Sequence, residues 1–371
     1  MSLFARSTRS LNAAKTLAQR CTALALITGV VGCTTLPSAR LASPADPAPP
    51  SVTIARSSDG TEASTTLDVL TYNIEGLGWP ARRGRAPSLE QIGATLHRLN
   101  ASGEAPDVIL VQEMFSPAAV RAITGAGYRY LAWGPSRTQR RRSPIKRKMS
   151  GPASWGKGEI GFHLVGSGLA VLSRFPIVFN SSEPFGTRHC AGFDCLSNKG
   201  VQHVRIAVPG VPQPVDIFNA HLNSRSASRV SVERSGAAHA LQVDDVASFM
   251  ASTSNPGRPT ILGGDFNMRG DPQRLARFES ALRNLTMVQR YCVAPANVCE
   301  IRISWDGDAP WMDTEDLQLF RDGSSVAVTP VRVEAMFDGS EQLPRLSDHD
   351  AFRVRYRLGW LTSNEIKGAA G

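Results

Sequence analysis

The chain has 371 residues, 42% of them hydrophobic and 20% charged, with a formal net charge of +9 at pH 7. That length and apolar content exclude a natively disordered chain and fit one large or two ordinary globular domains. The basicity is local: eight cations and no acid lie between Arg137 and Lys157, and four more, again without an acid, lie in the first thirty-two residues. The remainder is slightly acidic, so the charge does not imply a polyanion partner for the whole surface.

The first thirty-two residues read as an export signal. A basic lead (Arg6, Arg9, Lys15, Arg20) precedes the apolar run from Cys21 to Gly32, which is too short to span a bilayer. Val30-Val31-Gly32-Cys33 resembles the lipobox of bacterial lipoproteins. The resemblance implies a lipid on Cys33 and membrane anchorage; ordinary secretion with cleavage near Ala39 is the alternative. Thr34 resembles the outer-membrane retention pattern, so an exported outer-membrane lipoprotein is expected, facing the periplasm or the outside. Residues 33–66 are rich in Pro, Ala, Ser and Thr without apolar periodicity, and are expected to be a flexible tether.

From residue 67 to about 360, β-rich runs alternate with helical patterns. Residues 67–74 read as a strand. Ser88-Leu-Glu-Gln91 reads as a capping box that opens a helix with Ile92, Leu96 and Leu99 on one face. Residues 107–112 form a strand apolar on both faces, and further strands are expected over 169–172, 201–206 and 215–220. A helix is expected over 237–250, and another opens at the cap Asp271 and its proline, Pro272. Strands over 316–320, 326–335 and 352–358 complete the order, and 361–371 is a tail. This alternation implies a layered α/β or α+β domain. The stretches 135–158 and 294–313 have no regular pattern, and the first is far longer than a normal connection. Cys190 with Cys195, and Cys292 with Cys299, are spaced as two short-loop disulfides of an oxidising compartment, with four free buried thiols as the alternative.

Most strands end in a residue that chemistry can use. Asn73, Glu113, His221 and Asn223 follow apolar runs. Asp265 and Asn267, two apart at the end of another run, point to one side of an extended segment. Asp348 and His349 set a carboxylate beside an imidazole, the raw material of a general base. Hard oxygen donors suit Mg²⁺. A phosphodiester needs a cation, a base and donors for developing charge.

Thr71-Tyr72-Asn73-Ile74, Gln112-Glu113, Ala220-His221-Leu222, Gly264-Asp265-Phe266-Asn267 and Ser347-Asp348-His349 resemble the ordered signature of the endonuclease/exonuclease/phosphatase superfamily. Within it, Cys190 to Val201, containing Ser197-Asn198-Lys199-Gly200, resembles a segment of the bacterial neutral sphingomyelinases. The chain departs from that group at His221-Leu222-Asn223, where the group has His-Leu-Gln. It also has no clear apolar membrane-insertion hairpin.

The resemblance implies a four-layer sandwich, two packed mixed β-sheets flanked by helices. It implies Glu113 as the main ligand of Mg²⁺, or of Mn²⁺ or Co²⁺, with Asn73 near it and Asp348 assisting metal or base. It implies His349 as the base, Asp265 orienting water or base, and His221 and Asn267 on phosphoryl oxygens. An aspartate on a late strand is expected to pair with His349, either Asp316 or Asp313. Asn223 and Lys199 are candidate substrate contacts. The expected activity is metal-dependent hydrolysis of a phosphate ester by a monomer, with a phospholipid head group as substrate. The alternatives are nucleic acid, which would use the basic loop, inositol phosphates, or an inactive surface binding module.

Overall fold

The computed structural model describes residues 35–362 except 80, 145 and 146. The expected export signal, Cys33 and residues 363–371 of the tail lie outside the described residues. The chain divides into two compact units, Met1–Leu36 and Pro37–Gly371. Only residues 35 and 36 of the first are described; the helices and strands of the described residues all lie in the second.

In chain order the elements begin with β1 (Ala55–Arg56), β2 (Glu62–Asn73), α1 (Arg85–Ser102), β3 (Val108–Gln112), α2 (Pro117–Thr124), β4 (Tyr130–Trp133) and β5 (Ala170–Ser173). Next come β6 (Ile177–Pro184), β7 (Gly200–Ile206), β8 (Val215–His221), α3 (Val232–Thr253), β9 (Thr260–Asp265) and α4 (Pro272–Ala281). The chain closes with β10 (Thr286–Met287), α5 (Val288–Val293), β11 (Glu300–Ile301), β12 (Asp316–Arg321), β13 (Ala327–Met336) and β14 (Ala351–Leu361).

One sheet runs β11-β13-β14-β2-β3-β5-β4 with β1 beside β2; the other runs β10-β12-β9-β8-β7-β6. Both are mixed. β2 and β3 are parallel, as are β8 and β9, and their other neighbours are antiparallel. Alternation along each strand separates three apolar layers. Leu67, Val69 and Leu110 meet Val204, Ile217 and Ile261 between the sheets. Leu70, Tyr72, Ile109 and Val111 face α1 and α2 on one outside, and Phe218, Ala220 and Leu262 face α3 and α4 on the other. This is the expected four-layer sandwich. Gly263 permits close sheet contact, since a Cβ there would sit 2.5 Å from Leu110 Cδ1 and 2.7 Å from Thr71 Oγ1.

The sheets are also tied by polar side chains. Gln112 Nε2 donates to Asn219 Oδ1 at 2.7 Å, and Asn219 Nδ2 donates to the carbonyls of Val111 and Ala170, each at 3.0 Å. Gln318 Nε2 donates to the carbonyls of Val69 at 3.0 Å and Phe352 at 3.1 Å. Buried amides bonded this way fix one register, because any slip would leave them unpaired.

Three expectations change. Helix α1 starts at Arg85 behind Gly84, which is left-handed and gives no side-chain cap, so Ser88 lies inside the helix. Pro87 has no N–H to leave unsatisfied and fits a first turn, which lets the helix begin ahead of the expected box. Strands β4 and β6 and helix α2 were not expected. β6 carries Asn180, Ser181 and Ser182, and β4 is too short to show a period.

The segment expected to be a flexible tether lies against the fold from Pro37. Arg40 and Leu131 exchange backbone hydrogen bonds at 2.8 and 3.1 Å, Ala42 N donates to Ile177 O at 2.9 Å, and Trp133 Nε1 donates to Pro37 O at 2.7 Å. β4 and β6 are the edges of the two sheets, and an unpaired edge offers free backbone groups to any extended segment. A proline-rich strap can take them without apolar periodicity.

The basic stretch is likewise partly internal. Arg141 ion-pairs with Asp245 at 3.1 Å, and Arg147 reaches Asp244 at 3.6 Å. The Glu183 carboxylate accepts from the backbone N–H groups of Arg142 and Ser143. Disulfides join Cys190 to Cys195 and Cys292 to Cys299, as the spacing suggested.

Candidate active site

The carboxyl ends of β2, β3, β8 and β9 bring Asn73, Glu113, His221 and Asp265 together. Just past three of these ends the backbone turns left-handed at a non-glycine residue: Glu75 (φ 47°), Glu113 (φ 61°) and Asn267 (φ 49°). Such conformations are uncommon, and they collect where a structure must aim a side chain. Here Glu75 turns to Arg82 and Arg85, and Asn267 turns back onto Asp265.

Asp265 is the hub. Its Oδ2 accepts from Asn73 Nδ2 at 2.8 Å and lies 3.2 Å from His221 Nε2, while its Oδ1 accepts from Asn267 Nδ2 at 2.9 Å and Asn267 N at 3.1 Å. Lys199 Nζ lies 3.0 Å from His221 Nε2, 3.1 Å from Leu222 O and 3.1 Å from Asp194 Oδ1. His221 Nδ1 is buried without a hydrogen-bond partner among the described residues, a costly state for a polar atom that nothing else will meet.

The second hub is Asp316 at the start of β12. Its Oδ2 accepts from Asn73 N at 2.6 Å, and its Oδ1 accepts from His349 Nδ1 at 3.1 Å. That bond fixes the imidazole ring and leaves Nε2 as the nitrogen free to exchange a proton. Ser347 Oγ donates to Asn73 O at 2.7 Å and holds the loop bearing His349. Of the two aspartates left open by the sequence, Asp316 meets His349; Asp313 pairs with Arg345 at 2.6 Å instead.

The electrostatics follow from burial against neighbouring charge. Burial alone would raise Asp265, but His221, His349 and Lys199 hold its carboxyl well below the usual range. Burial raises Asp316 despite His349 and the Asn73 N–H. Burial also raises Glu113, against the pull of His221 and Lys199. Burial would lower His349, yet Asp316, Asp265 and Asp348 outweigh it and raise the imidazole to about 10. Burial rather than like charge keeps Glu113 and Asp316 high, and the carboxylates around His349 favour its charged form.

Two expected site residues stand elsewhere. Asn223 is fully buried and its carboxamide is occupied: Oδ1 accepts from Ala191 N at 2.8 Å and Nδ2 donates to Ser224 O at 2.9 Å. Its carboxamide braces the disulfide loop rather than facing the Asp265 group. Asp348 is turned outward; its side chain is 53% exposed and reaches Arg82 at 3.4 Å, so it is not drawn into the buried carboxylate group. Three supporting residues are not marked by the sequence pattern. Asp194 holds Lys199. Arg274 donates to the carbonyls of Asn223 and Asn267, each at 2.8 Å, and His239 Nε2 donates to Phe266 O at 2.8 Å. Only the position of Asp194 between two cysteines could have pointed to any of them.

The donor set fits a divalent cation. Asp265, Asp316 and His349 offer ligand atoms within 4.8 Å of one another. His349 Nδ1 is already bonded to Asp316, which leaves the carboxylate oxygens as the donors. The Glu113 carboxylate has no hydrogen bond or ion pair with a described side chain. Several hard oxygens with amide neighbours are the chemistry that Mg²⁺ takes.

The Endonuclease/Exonuclease/phosphatase family matches residues 70–349, and the chain belongs to that family. Among solved structures it is similar to a beta toxin from Staphylococcus aureus carrying two substitutions and bound magnesium ions. The identity is 17%, the TM-score 0.55, and the match covers 78% of this chain and 99% of that one. It is also similar to sphingomyelinase C from Streptomyces griseocarneus (21% identity, TM-score 0.51, 78% and 99% covered) and to a humanized D. rerio TDP2 (14% identity, TM-score 0.50, 78% and 98% covered). At these identities the structures show a shared fold. Comparison with curated proteins gives no match.

Proposed function

We propose that the chain is an exported, divalent-cation-dependent phosphodiesterase that hydrolyses a phospholipid head group of the sphingomyelin kind. We further propose that it acts as a monomer anchored through a lipid on Cys33, in the outer membrane. The observation that carries the chemistry is the His349–Asp316 pair set across the Asp265–His221–Lys199 group. His349 Nε2 takes a proton from the attacking water, and Asp316 stabilises the imidazolium that results. The water oxygen bonds to phosphorus, the bond to the leaving oxygen breaks, and that oxygen leaves with a proton. His221 Nδ1 supplies a donor to the phosphoryl oxygens, and Lys199 and Asn267 do so by exchanging their bonds to Leu222 O, with Asp265 holding His221 and Asn267 in place. Glu113, with Asn73 beside it, would hold Mg²⁺, or Mn²⁺ or Co²⁺; once bound, the cation stabilises phosphoryl charge and draws the proton affinity of His349 downward.

The lipid reading is supported by the Ser197-Asn198-Lys199-Gly200 segment, whose Lys199 lies against His221, and by the likeness in fold to sphingomyelinase C from Streptomyces griseocarneus. A nucleic-acid substrate is less well served, because Arg141 and Arg147 of the basic stretch are engaged with Asp245 and Asp244. The test compares Mg²⁺-dependent hydrolysis of sphingomyelin, phosphatidylcholine, plasmid DNA and inositol phosphates. Selective release of phosphocholine from sphingomyelin is expected, and selective nicking of DNA would replace the lipid reading. Glu113→Gln should raise the Mg²⁺ concentration needed for half activity, because a carboxylate donor becomes neutral. An unchanged metal titration would remove Glu113 as a ligand.

A further inference from the structure

We propose that the cavity between the basic insertion and the Cys190–Cys195 disulfide binds the alkyl chain of an anionic amphiphile, apart from the catalytic group. The cavity has a volume of about 500 Å³ and is lined by Met149, Trp155, Ile160, Phe162, Arg188 and the disulfide, among others. That volume is ordinary for a small-molecule site, which typically occupies ~300–1,000 Å³ with apolar walls and a few polar groups.

The walls are unusual for a surface. Trp155 is 70% exposed and Phe162 58% exposed, and both line the same hollow. Single exposed apolar residues need no explanation, but aromatics converging on one concavity mark a place where something apolar is received.

The polar groups decide the class of ligand. Glu159 is the acid of the lining, and its oxygens are already taken by Arg234 and by the N–H groups of Ser154 and Gly192. It has nothing left for a cationic head group. Arg234 is neutralised by the same pair. Arg188 is exposed, and its guanidinium has no hydrogen bond or ion pair with a described residue. An apolar hollow with one free guanidinium, Arg188, in its wall and its one acid neutralised suits a single alkyl chain with a negative head. A nucleotide could stack on the aromatics, but most of the remaining lining is aliphatic or sulfur rather than donors for base edges.

The probe is laurate, which carries no phosphorus and so does not mimic the ester. Titration of the full chain below the micelle-forming concentration, followed by calorimetry, should show one laurate per protein. Arg188→Gln and Phe162→Asp should each weaken binding by about tenfold or more. Both side chains are exposed, so the thermal midpoint should not move. Dodecyltrimethylammonium should bind at least about tenfold more weakly than laurate, and adenosine monophosphate should not bind here. His349→Ala should bind laurate like the parent chain, which separates this site from the catalytic one whatever the catalytic substrate proves to be. The proposal is overturned by no laurate binding, by binding that both variants leave unchanged, by equal binding of the cationic amphiphile, or by tighter binding of the nucleotide that Arg188→Gln weakens.

Discussion

Away from the site, Asp68 on β2 is held by Arg353 at 2.6 Å and by Arg355 at 2.6 and 2.7 Å. Asp216, at the start of β8, meets His203 at 3.0 Å and Arg205 at 2.9 Å. At the other end of the same strands, Glu113, Asp265 and Asp316 share His221, His349 and Lys199. The pKa directions record the difference. Burial would raise Asp68, but its two arginines bring it below the usual range, whereas burial raises Asp316 and Glu113 with no guanidinium to oppose it. Both ends bury acids. One end pairs Asp68 and Asp216 mainly with guanidinium groups that cannot lose a proton, and the other surrounds its acids with imidazoles and a lysine, groups able to exchange one, which is the arrangement expected of a functional centre rather than a structural one.

The sharpest way to break this comparison is to remove His349. His349→Ala should lower turnover by ~10²–10⁴ if it is the base, with the thermal midpoint little changed. Retained turnover would assign that arrangement to something other than catalysis. Asp68→Ala should do the reverse. It leaves Arg353 and Arg355 without their carboxylate and should cost about 3 kcal/mol of stability in urea unfolding, while the folded protein keeps its turnover. A large loss of turnover at full stability would erase the distinction between the ends.

The third test is pH. Burial, with Arg274 adding to it, lowers His239 from 6.5 to about 4. The folded state therefore binds this proton less tightly than the unfolded chain. The stability it contributes is present in full above pH 6.5 and lost as pH falls through 4, in all about 3 kcal/mol. His239→Gln should flatten the acid limb of stability against pH over that interval, and an unaltered limb would refute the assignment. The smallest effect is expected at Asp348. It is exposed and paired with an exposed arginine, so Asp348→Asn should change turnover by no more than about threefold and leave the metal requirement alone. A large shift in metal requirement would return it to the cation site.

Much of this was legible because buried parallel strands announce themselves. Residues 107–112 and 259–265 are apolar runs that stop at a polar residue, and Glu113 and Asp265 stand where those runs stop. The pairing of His349 with Asp316 could be narrowed but not decided from sequence, since it depends on how β12 lies against β9 across about fifty residues of chain. Asn223 misled for a physical reason. It follows His221 by two residues, which in a continuing strand would put both on one face, but β8 ends at His221 and the chain turns there toward the disulfide loop. The docked strap from Pro37 was illegible because it is held by backbone bonds to sheet edges, and such bonds leave no pattern in side-chain type.

The polar ties between the sheets have one more consequence. Asn73, Glu113 and His349 belong to one sheet and its loops; Lys199, His221, Asp265 and Asp316 belong to the other. The proposed proton-transfer pair is itself divided, His349 on one side and Asp316 on the other. A chain with either sheet formed alone holds no complete pair and no complete set of carboxylates. On the proposed mechanism the pair forms only where the sheets dock, at the interface that Gln112 and Asn219, and Gln318 with the backbone of β2 and β14, hold together. A fold with the sheets apart therefore presents its carboxylates and its imidazole separately, and the proposed chemistry has no place to occur.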